Sequence, residues 1–277
     1  MFQRELSYES VQEDKELART LEREVKMARN IQMKLLNGKK PELDSGEVSG
    51  VSIPARLIGG DYFDFYVLPN GKLRIVIGDV MGKGIPAAML MILTRGAFRS
   101  ASESTQGPAK TLTAMNKAIY QDLRTLGSFV TVLCADWDPN KSILTYSTAG
   151  HNLPLVVRSE EIVTIPETKG VMLGGLPETI YQEQRISLQN DDLAFFYTDG
   201  ITEAANSNGE MYRIERLQDT LIANFSKDVH ELEESVIQSL NEYTENTPQK
   251  DDITMVMLKI IHDSAKLTSY NSPVINS

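Results

Sequence analysis

The residues whose placement could do chemistry are aspartates. Asp79 and Asp199 follow apolar runs typical of strands, Asp251 and Asp252 precede another, and Asp61 follows two glycines. Carboxylates that meet at the ends of core strands are partly desolvated and raise one another's pKa. A divalent cation removes that cost, and oxygen-only ligands select hard ions such as Mg²⁺ or Mn²⁺. The four sites together indicate a metal site, although each aspartate alone is more typical of a turn or cap.

Other chemistries have weaker support. The three histidines are far apart in sequence and none has zinc-site spacing with Cys134. The glycine-rich stretch GDVMGKG lacks the four-residue gap of a P-loop, and Gly84 stands where serine or threonine should follow the lysine. No G-x-S-x-G supports a serine hydrolase, and no G-x-G-x-x-G follows a strand, so a dinucleotide fold is not expected.

The elements around these aspartates come in blocks rather than in strict alternation. Hydrophobic periodicity and turn signals predict helices over 13–37, 85–100, 108–125, 213–224 and 228–243, and strands over 73–77, 128–138, 142–150, 153–159, 192–198 and 253–261. Strands grouped together and helices in pairs favour an α+β layered architecture over a doubly wound parallel fold.

The predicted helix over 13–37 carries an apolar stripe at helical spacing, formed by Leu17, Leu21, Val25, Ala28, Ile31 and Leu35. The stripe covers about three heptads, which is short for a coiled coil. Two interpretations stay open: a helix packed on its own domain, or a helix that dimerises or receives a signal.

Composition excludes several classes of protein. The 277 residues suit one or two domains, and the net charge of −10 argues against a nucleic-acid partner. No apolar run is long enough to span a membrane, the N-terminus lacks a signal-peptide core, and the single cysteine fits a cytoplasmic setting. Cys134 is expected in a buried strand, and Met81, Met89 and Met91 are expected in the core.

At the motifs around the aspartates the sequence resembles the bacterial PPM-type (protein phosphatase 2C-like) serine/threonine phosphatases of the SpoIIE/RsbU branch. The resemblance runs from about Ala28 to Lys259 and rests on six stretches in family order: ARNIQMKLL, IGGDYFDF, GDVMGKGIPAAM, STAGHNLP, FYTDGITEA and KDDIT. It implies a linker segment over 1–40, a phosphatase domain over 41–262 and a polar tail, expected to be disordered, over 263–277.

The resemblance implies a central antiparallel β-sandwich flanked by helical pairs, with two Mn²⁺ or Mg²⁺ ions. By position, Asp79 matches the aspartate that bridges both metals, the Val80 backbone carbonyl a further ligand, and Asp199 and Asp251 the remaining metal aspartates. Asp61 matches the aspartate that holds metal-bound water. A metal-bridged hydroxide would then attack phosphorus in line, with no protein nucleophile.

Several positions depart from the family pattern or have open roles. Arg56 stands where eukaryotic relatives place a phosphate-binding arginine, and a surface arginine is the alternative. His151 and Asp252 are candidates for ordering loops, with proton transfer as a second possibility for His151. Arg213 stands where the family often has glycine, and no residue is assigned as the leaving-group acid.

The implied substrate is phosphoserine or phosphothreonine on a partner protein, expected to be a phosphorylated anti-sigma-factor antagonist in a partner-switching stress or sporulation pathway. The helix over 13–37 resembles the family's linker helix. We expect it to dock a regulatory protein or a second copy of the chain and to bias the helix over 85–100. Two alternatives stay open: a catalytically silent phosphoprotein-binding module, and a hydrolase of small phosphate esters.

Overall fold

The computed structural model describes residues 2–36, 41–245 and 247–261. In those ranges the helices are α1 (Phe2–Leu36), α2 (Ile85–Ser104), α3 (Pro108–Thr125), α4 (Asp199–Thr202), α5 (Arg213–Ala223) and α6 (Val229–Thr244). The strands are β1 (Gly46–Ile53), β2 (Tyr62–Val67), β3 (Leu73–Val80), β4 (Val130–Asp138), β5 (Ile143–Ala149), β6 (Leu155–Arg158), β7 (Glu161–Val163), β8 (Gln184–Ser187), β9 (Leu193–Tyr197) and β10 (Ile253–Ile260). None of these helices is long and apolar enough to cross a membrane. The predicted tail over 263–277 lies outside the described residues.

The strands form two antiparallel five-stranded sheets, in the orders β1-β10-β9-β6-β7 and β2-β3-β4-β5-β8. Apolar side chains from both sheets meet in one core, for example Val76 and Leu133 from one sheet with Phe196 and Val256 from the other. Burying these side chains between two inner faces is what holds a β-sandwich together.

Helical pairs cover the two outer faces. The pair α2 and α3 packs on the sheet that contains β3, β4 and β5, whereas α5 and α6 pack on the sheet that contains β1, β6 and β10. Leu217, Leu221, Leu232 and Val236 of the second pair lie in a separate apolar cluster against the outer face of β9 and β10. The α+β sandwich that the sequence led us to expect is thereby confirmed.

The N-terminal helix is longer than expected. Helix α1 begins at Phe2 rather than at residue 13. Residues 2–12 contain neither glycine nor proline, so nothing in them stops a helix, but they lack the apolar stripe by which the helix was located. The helix ends at Leu36, and the Asn37-Gly38 stop signal falls outside the described residues.

Two of the three methionines expected in the core are exposed. Met91 is fully buried, whereas Met81 and Met89 are 45% and 69% exposed. Met89 lies on the outer face of α2 with Ile85 and Ile92, at spacings of four and three residues, so it points away from the sheet that the helix covers. Cys134 is fully buried in β4, as expected.

A buried ion pair joins the second sheet to its helices. The guanidinium of Arg74 in β3 donates to both carboxylate oxygens of Asp136 in β4, at 2.6 and 2.7 Å. It also donates to the Thr111 hydroxyl of α3 at 2.9 Å. Because Arg74 is wholly buried, these three bonds replace the water that the charge has lost.

Candidate active site

Strand register brings the aspartates to one end of the sandwich. Tyr62 of β2 lies opposite Gly78 of β3, so Asp61, just before β2, lies beside Asp79. In the other sheet, Tyr197 of β9 lies opposite Met255 of β10. Asp199, two residues after Tyr197, therefore lies next to the start of β10, which the Asp251–Asp252 pair precedes. Both strand pairs present their acidic ends to the same edge.

Asp61 is buried at this edge, with 3% of its surface exposed. Burial raises its pKa well above the usual range, and the charges of Asp79 and Asp252 raise it further. The Thr198 hydroxyl donates to Asp61 Oδ2 at 2.8 Å, which partly offsets that effect. Thr198 directly follows β9 of the other sheet, so this bond links the two sheets at the site.

Asp79 is the centre of the acidic cluster. Burial raises its pKa to about 7, with further contributions from the charges of Asp199 and Asp251, whereas a hydrogen bond with Asp61 lowers it. Burial and the Asp251 charge also raise the pKa of Asp199, and Lys83 opposes that rise. The four carboxylates therefore repel one another in a partly desolvated place, which favours either protons or a cation between them.

The last two aspartates are engaged differently. Asp251 Oδ2 accepts a hydrogen bond of 2.6 Å from the ammonium of Lys83. Asp252 instead accepts from backbone amides of the loop before β2, at 2.7 Å from Ala55 and 2.7 Å from Gly60. Asp252 therefore contacts the loop that carries Asp61 through two backbone amides.

Close approach of Asp252 explains two glycines near the cluster. A Cβ on Gly59 would lie 2.3 Å from Asp252 Oδ2, and a Cβ on Gly200 would lie 1.9 Å from the Asp252 carbonyl oxygen. Both distances are shorter than any van der Waals contact. Glycine in the IGGD and TDG motifs is therefore required by packing around the start of β10.

His151 bridges the two sheets behind the aspartates. Its Nδ1 lies 2.9 Å from the Thr131 hydroxyl of β4, opposite Asp79, and its Nε2 lies 3.1 Å from the Tyr197 carbonyl oxygen of β9. Burial lowers its pKa to about 4, so the ring is neutral at pH 7. Since the carbonyl only accepts, Nε2 carries the proton and the Thr131 hydroxyl donates to Nδ1.

Of the two remaining candidates, Val80 ends β3 and Arg56 lies on the loop that carries Asp61. The Val80 carbonyl oxygen lies 3.1 Å from where a Cβ on Gly60 would stand, so it borders the Asp61 loop. Arg56 is exposed, and its Nη1 lies 3.6 Å from the corresponding position on Gly84, at the start of α2. Within the described ranges no ion pair of Arg56 is found, so the structure puts it beside the cluster without joining it.

The donor set fits hard divalent cations. Every side-chain ligand candidate is a carboxylate, and their mutual repulsion is the feature that a cation relieves. Among the described residues, no three acidic, histidine or cysteine side chains already form a ready-made metal cluster. Asp61, Asp251 and Asp252 instead each accept a hydrogen bond from a neighbouring group.

Comparison with known proteins decides the family. The sequence profile described as Stage II sporulation protein E (SpoIIE) matches residues 69–261, more than half of the chain. The chain belongs to the SpoIIE family. This SpoIIE-family chain is 28% identical over 256 residues to phosphoserine phosphatase RsbU of Bacillus subtilis, covering 92% of the chain and 75% of RsbU. It is a PPM-type phosphoprotein phosphatase of the SpoIIE/RsbU branch.

Solved structures agree on the fold. The SiaA-PP2C domain of Pseudomonas aeruginosa superimposes with a TM-score of 0.76 at 22% identity, covering 88% of this SpoIIE-family chain and 98% of that domain. RsbX in complex with magnesium superimposes with a TM-score of 0.57 at 17% identity, covering 80% and 98% of the two chains.

Sequence reasoning missed several residues of this SpoIIE-family site. Lys83 was noted only within a stretch that fails as a P-loop, yet it is the partner of Asp251. Thr198 was treated only as the end of a strand. Glu203 lies close enough to the cluster to interact with its charges, since burial and the charges of Asp199 and Asp251 raise its pKa. Its place four residues after Asp199, one helical turn on, is the signal that could have indicated it.

A cavity of about 410 Å³ opens beside the cluster. Lys83, Glu203 and Asp251 line it toward the aspartates, and Met211 and Leu240 line its apolar part. The acidic site of this SpoIIE-family protein therefore continues into a partly apolar recess.

Proposed function

We propose that this chain hydrolyses phosphoserine or phosphothreonine on a partner protein, with two Mn²⁺ or Mg²⁺ ions held by its acidic cluster. The observation that carries this proposal is the convergence of Asp61, Asp79 and Asp199 where the two sheets meet, in a place where burial and neighbouring carboxylates raise the pKa of each. Membership of the SpoIIE family and the magnesium named with the RsbX structure support the choice of ions.

In this proposal Asp79, Asp199, Asp251 and the Val80 carbonyl would hold the cations directly, and Asp61 would hold them through water. The cations would supply positive charge that neutralises phosphate oxygens and acidifies water. Asp79 is the natural shared ligand because its pKa responds to both Asp199 and Asp251. Cation binding would exchange the Lys83 ammonium on Asp251 for a stronger positive charge.

Other residues of the chain position these groups. Thr198 holds Asp61 by its hydroxyl, and Asp252 holds the loop that carries Asp61. His151 acts in ordering the site, because the single proton of its neutral ring, on Nε2, is engaged with the Tyr197 carbonyl oxygen and a neutral imidazole is too weak an acid to protonate a leaving group at pH 7. Arg56, exposed beside Gly84, is the proposed donor to the substrate phosphate.

The proposed substrate is a phosphorylated anti-sigma-factor antagonist in a partner-switching pathway. The likeness to RsbU, named a phosphoserine phosphatase, supports phosphoserine as the group attacked. The recess beside Asp251 supports a protein over a small ester, since it offers apolar surface that a free metabolite phosphate would leave unfilled.

Rates on three substrates test this proposal. We expect release of phosphate from a phosphoserine-bearing antagonist protein with Mn²⁺, at a kcat/KM at least about tenfold above that for an aryl phosphate or a sugar phosphate. Equal or higher values for the sugar phosphate would favour the small-ester hydrolase. Binding of the phosphoprotein without release of phosphate under any metal condition would favour the silent module.

We further propose that α1 associates with a regulatory protein or a second copy of the chain and biases α2. Leu17 and Leu21, one turn apart on α1, are 60% and 51% exposed, which leaves this part of the stripe uncovered. Deletion of residues 1–27 is expected to change the oligomeric state or the response to a partner. An unchanged state and response would contradict this role.

A further inference from the structure

One contact links α1 directly to the loop that carries Asp61. The side-chain amide of Gln32 donates to the Gly59 carbonyl oxygen at 2.7 Å, and the Gly59 amide donates back to Gln32 Oε1 at 3.1 Å. Gln32 is 3% exposed. A reciprocal pair of this kind satisfies both backbone groups of Gly59 with one side chain.

Among the α1 side chains that the structure describes, the buried ones lie in the last turn. Gln32 and Leu36 are buried, with Leu36 in the main core, whereas Met27 and Ile31 are 65% and 60% exposed. The contact surface of α1 therefore concentrates at its C-terminal end, where Gln32 supplies the polar link.

Hydrogen bonds from two different residues, Asp252 and Gln32, hold the loop between β1 and β2. On one side Asp252 accepts hydrogen bonds from the amides of Ala55 and Gly60. On the other side Gln32 holds Gly59, whose missing Cβ leaves room for Asp252. Asp61 comes two residues after Gly59, so the hydrogen bonds of Asp252 and of Gln32 together fix the backbone that carries it.

We propose that Gln32 is a positioning residue for the phosphatase reaction, acting through Gly59 to keep Asp61 and Asp252 in place. This inference rests on the proposed function for its effect on turnover. Without Gln32, the buried amide and carbonyl of Gly59 lose their partners, and the loop must shift to find water. A shift of about 1 Å in a catalytic group can cost on the order of a hundredfold in rate.

The test compares Gln32→Ala and Gln32→Met with Gln12→Ala in the full chain. Methionine keeps the length and apolar packing of the side chain but makes neither bond, so it serves if the alanine variant fails to fold. Gln12 is an exposed glutamine on the same helix and is the matched control. The readouts are amide hydrogen exchange over 54–65, thermal unfolding, and kcat and KM with phosphoprotein and with aryl phosphate.

We expect exchange over 54–65 to rise by about tenfold, as loss of roughly 1.4 kcal/mol of hydrogen bonding implies. We expect kcat to fall roughly tenfold to hundredfold on both substrates, with KM for the phosphoprotein within about twofold. The Gln12→Ala protein should match the wild type.

Unchanged exchange over 54–65 in a folded Gln32 variant would overturn the inference, as would wild-type kcat despite faster exchange. A wild-type protein that releases no phosphate would contradict the proposed function instead. The exchange experiment uses no substrate and would still decide whether Gln32 holds the loop.

Discussion

The ammonium of Lys83 lies 2.6 Å from Asp251 Oδ2, and a second hydrogen bond of 2.5 Å joins it to the Lys250 carbonyl oxygen. Lys83 thereby places a positive charge in the acidic cluster and lowers the pKa of Asp199. Lys83, from the glycine-rich turn after β3, thus partly neutralises the negative charge of carboxylates at the end of the opposite sheet.

Removing that charge is expected to strengthen cation binding. In Lys83→Gln the Asp251 carboxylate no longer has an ammonium partner, so an incoming cation displaces nothing. The pair is 41% and 36% exposed, and such pairs contribute about 0.2–1 kcal/mol, which gives a gain in Mn²⁺ affinity of up to about fivefold. Calorimetric titration measures it, with Lys250→Gln as the control for net charge. A lower Mn²⁺ affinity in Lys83→Gln would contradict this account.

Because His151 is buried as a neutral ring, we expect the protein to lose stability in acid. Its pKa falls from 6.5 to about 4 on burial, so its contribution is complete above pH 6.5 and is lost as the pH drops toward 4. Each pH unit in that window costs about 1.4 kcal/mol, because only the unfolded chain takes up the proton. Urea unfolding of wild type and His151→Gln should show the difference between them shrinking by about 2 kcal/mol from pH 7 to pH 5. A difference that is constant with pH would argue that His151 is not buried as a neutral ring.

Arg213 is strained at the start of α5. Its φ is 66°, in the left-handed region where a residue with a side chain costs about 1–2 kcal/mol. The Arg213→Gly substitution removes this strain but makes the unfolded chain more flexible, which cancels part of the benefit. We therefore expect the free energy of unfolding to rise by roughly 0.5–1 kcal/mol. Denaturant unfolding measures it. Asp219→Gly, at an exposed position within α5, should lose about as much, and a loss in both variants would contradict the assigned strain.

We expect a larger loss of stability when the buried ion pair of Arg74 is broken. Arg74→Met leaves the Asp136 carboxylate buried without its partner, which costs about 3–5 kcal/mol in the free energy of unfolding. The double variant Arg74→Met/Asp136→Leu removes both charges and should recover most of that loss. Arg185→Met, from an exposed pair with Glu183, should change stability by less than about 0.5 kcal/mol. Equal losses in the single and double variants would contradict the desolvation argument.

Much of the site could be predicted because it lies at strand ends that the sequence marks clearly. Asp79 and Asp199 follow apolar runs with strand character, and these runs lie in β3 and β9. What the sequence could not provide was register. The pairing of Tyr62 with Gly78 brings Asp61 to Asp79, and no local pattern encodes that alignment.

Strands β1, β2, β7 and β8 were not predicted from the sequence. Strand β1 contains two glycines, which are depleted in strands. Strand β2 contains Asp64, a charged residue in a buried strand, which is tolerated because Arg99 of α2 pairs with it and the Tyr62 hydroxyl donates to it. Strands β7 and β8 have three and four residues and lie at sheet edges, where alternation is too short to read. Their positions depend on contacts distant in sequence.

The polar partners were the hardest to predict. Lys83 and Gln32 are ordinary surface types in sequence, and each acquires a role only by a contact across the fold. A glutamine on a helix gives no local signal that it is buried, because burial there depends on which face meets the domain.

The most direct test of the central claim is phosphate release by wild type and Asp79→Asn, each with Mn²⁺, with Mg²⁺ and with chelator. The substitution removes the charge at the centre of the cluster and changes little volume. We predict metal-dependent turnover in the wild type that falls by at least about a thousandfold in the variant, since several kcal/mol of charge stabilisation are lost. Asp219→Asn, an exposed carboxylate on α5, should behave like the wild type. Turnover that survives both the chelator and the Asp79→Asn change would contradict the account.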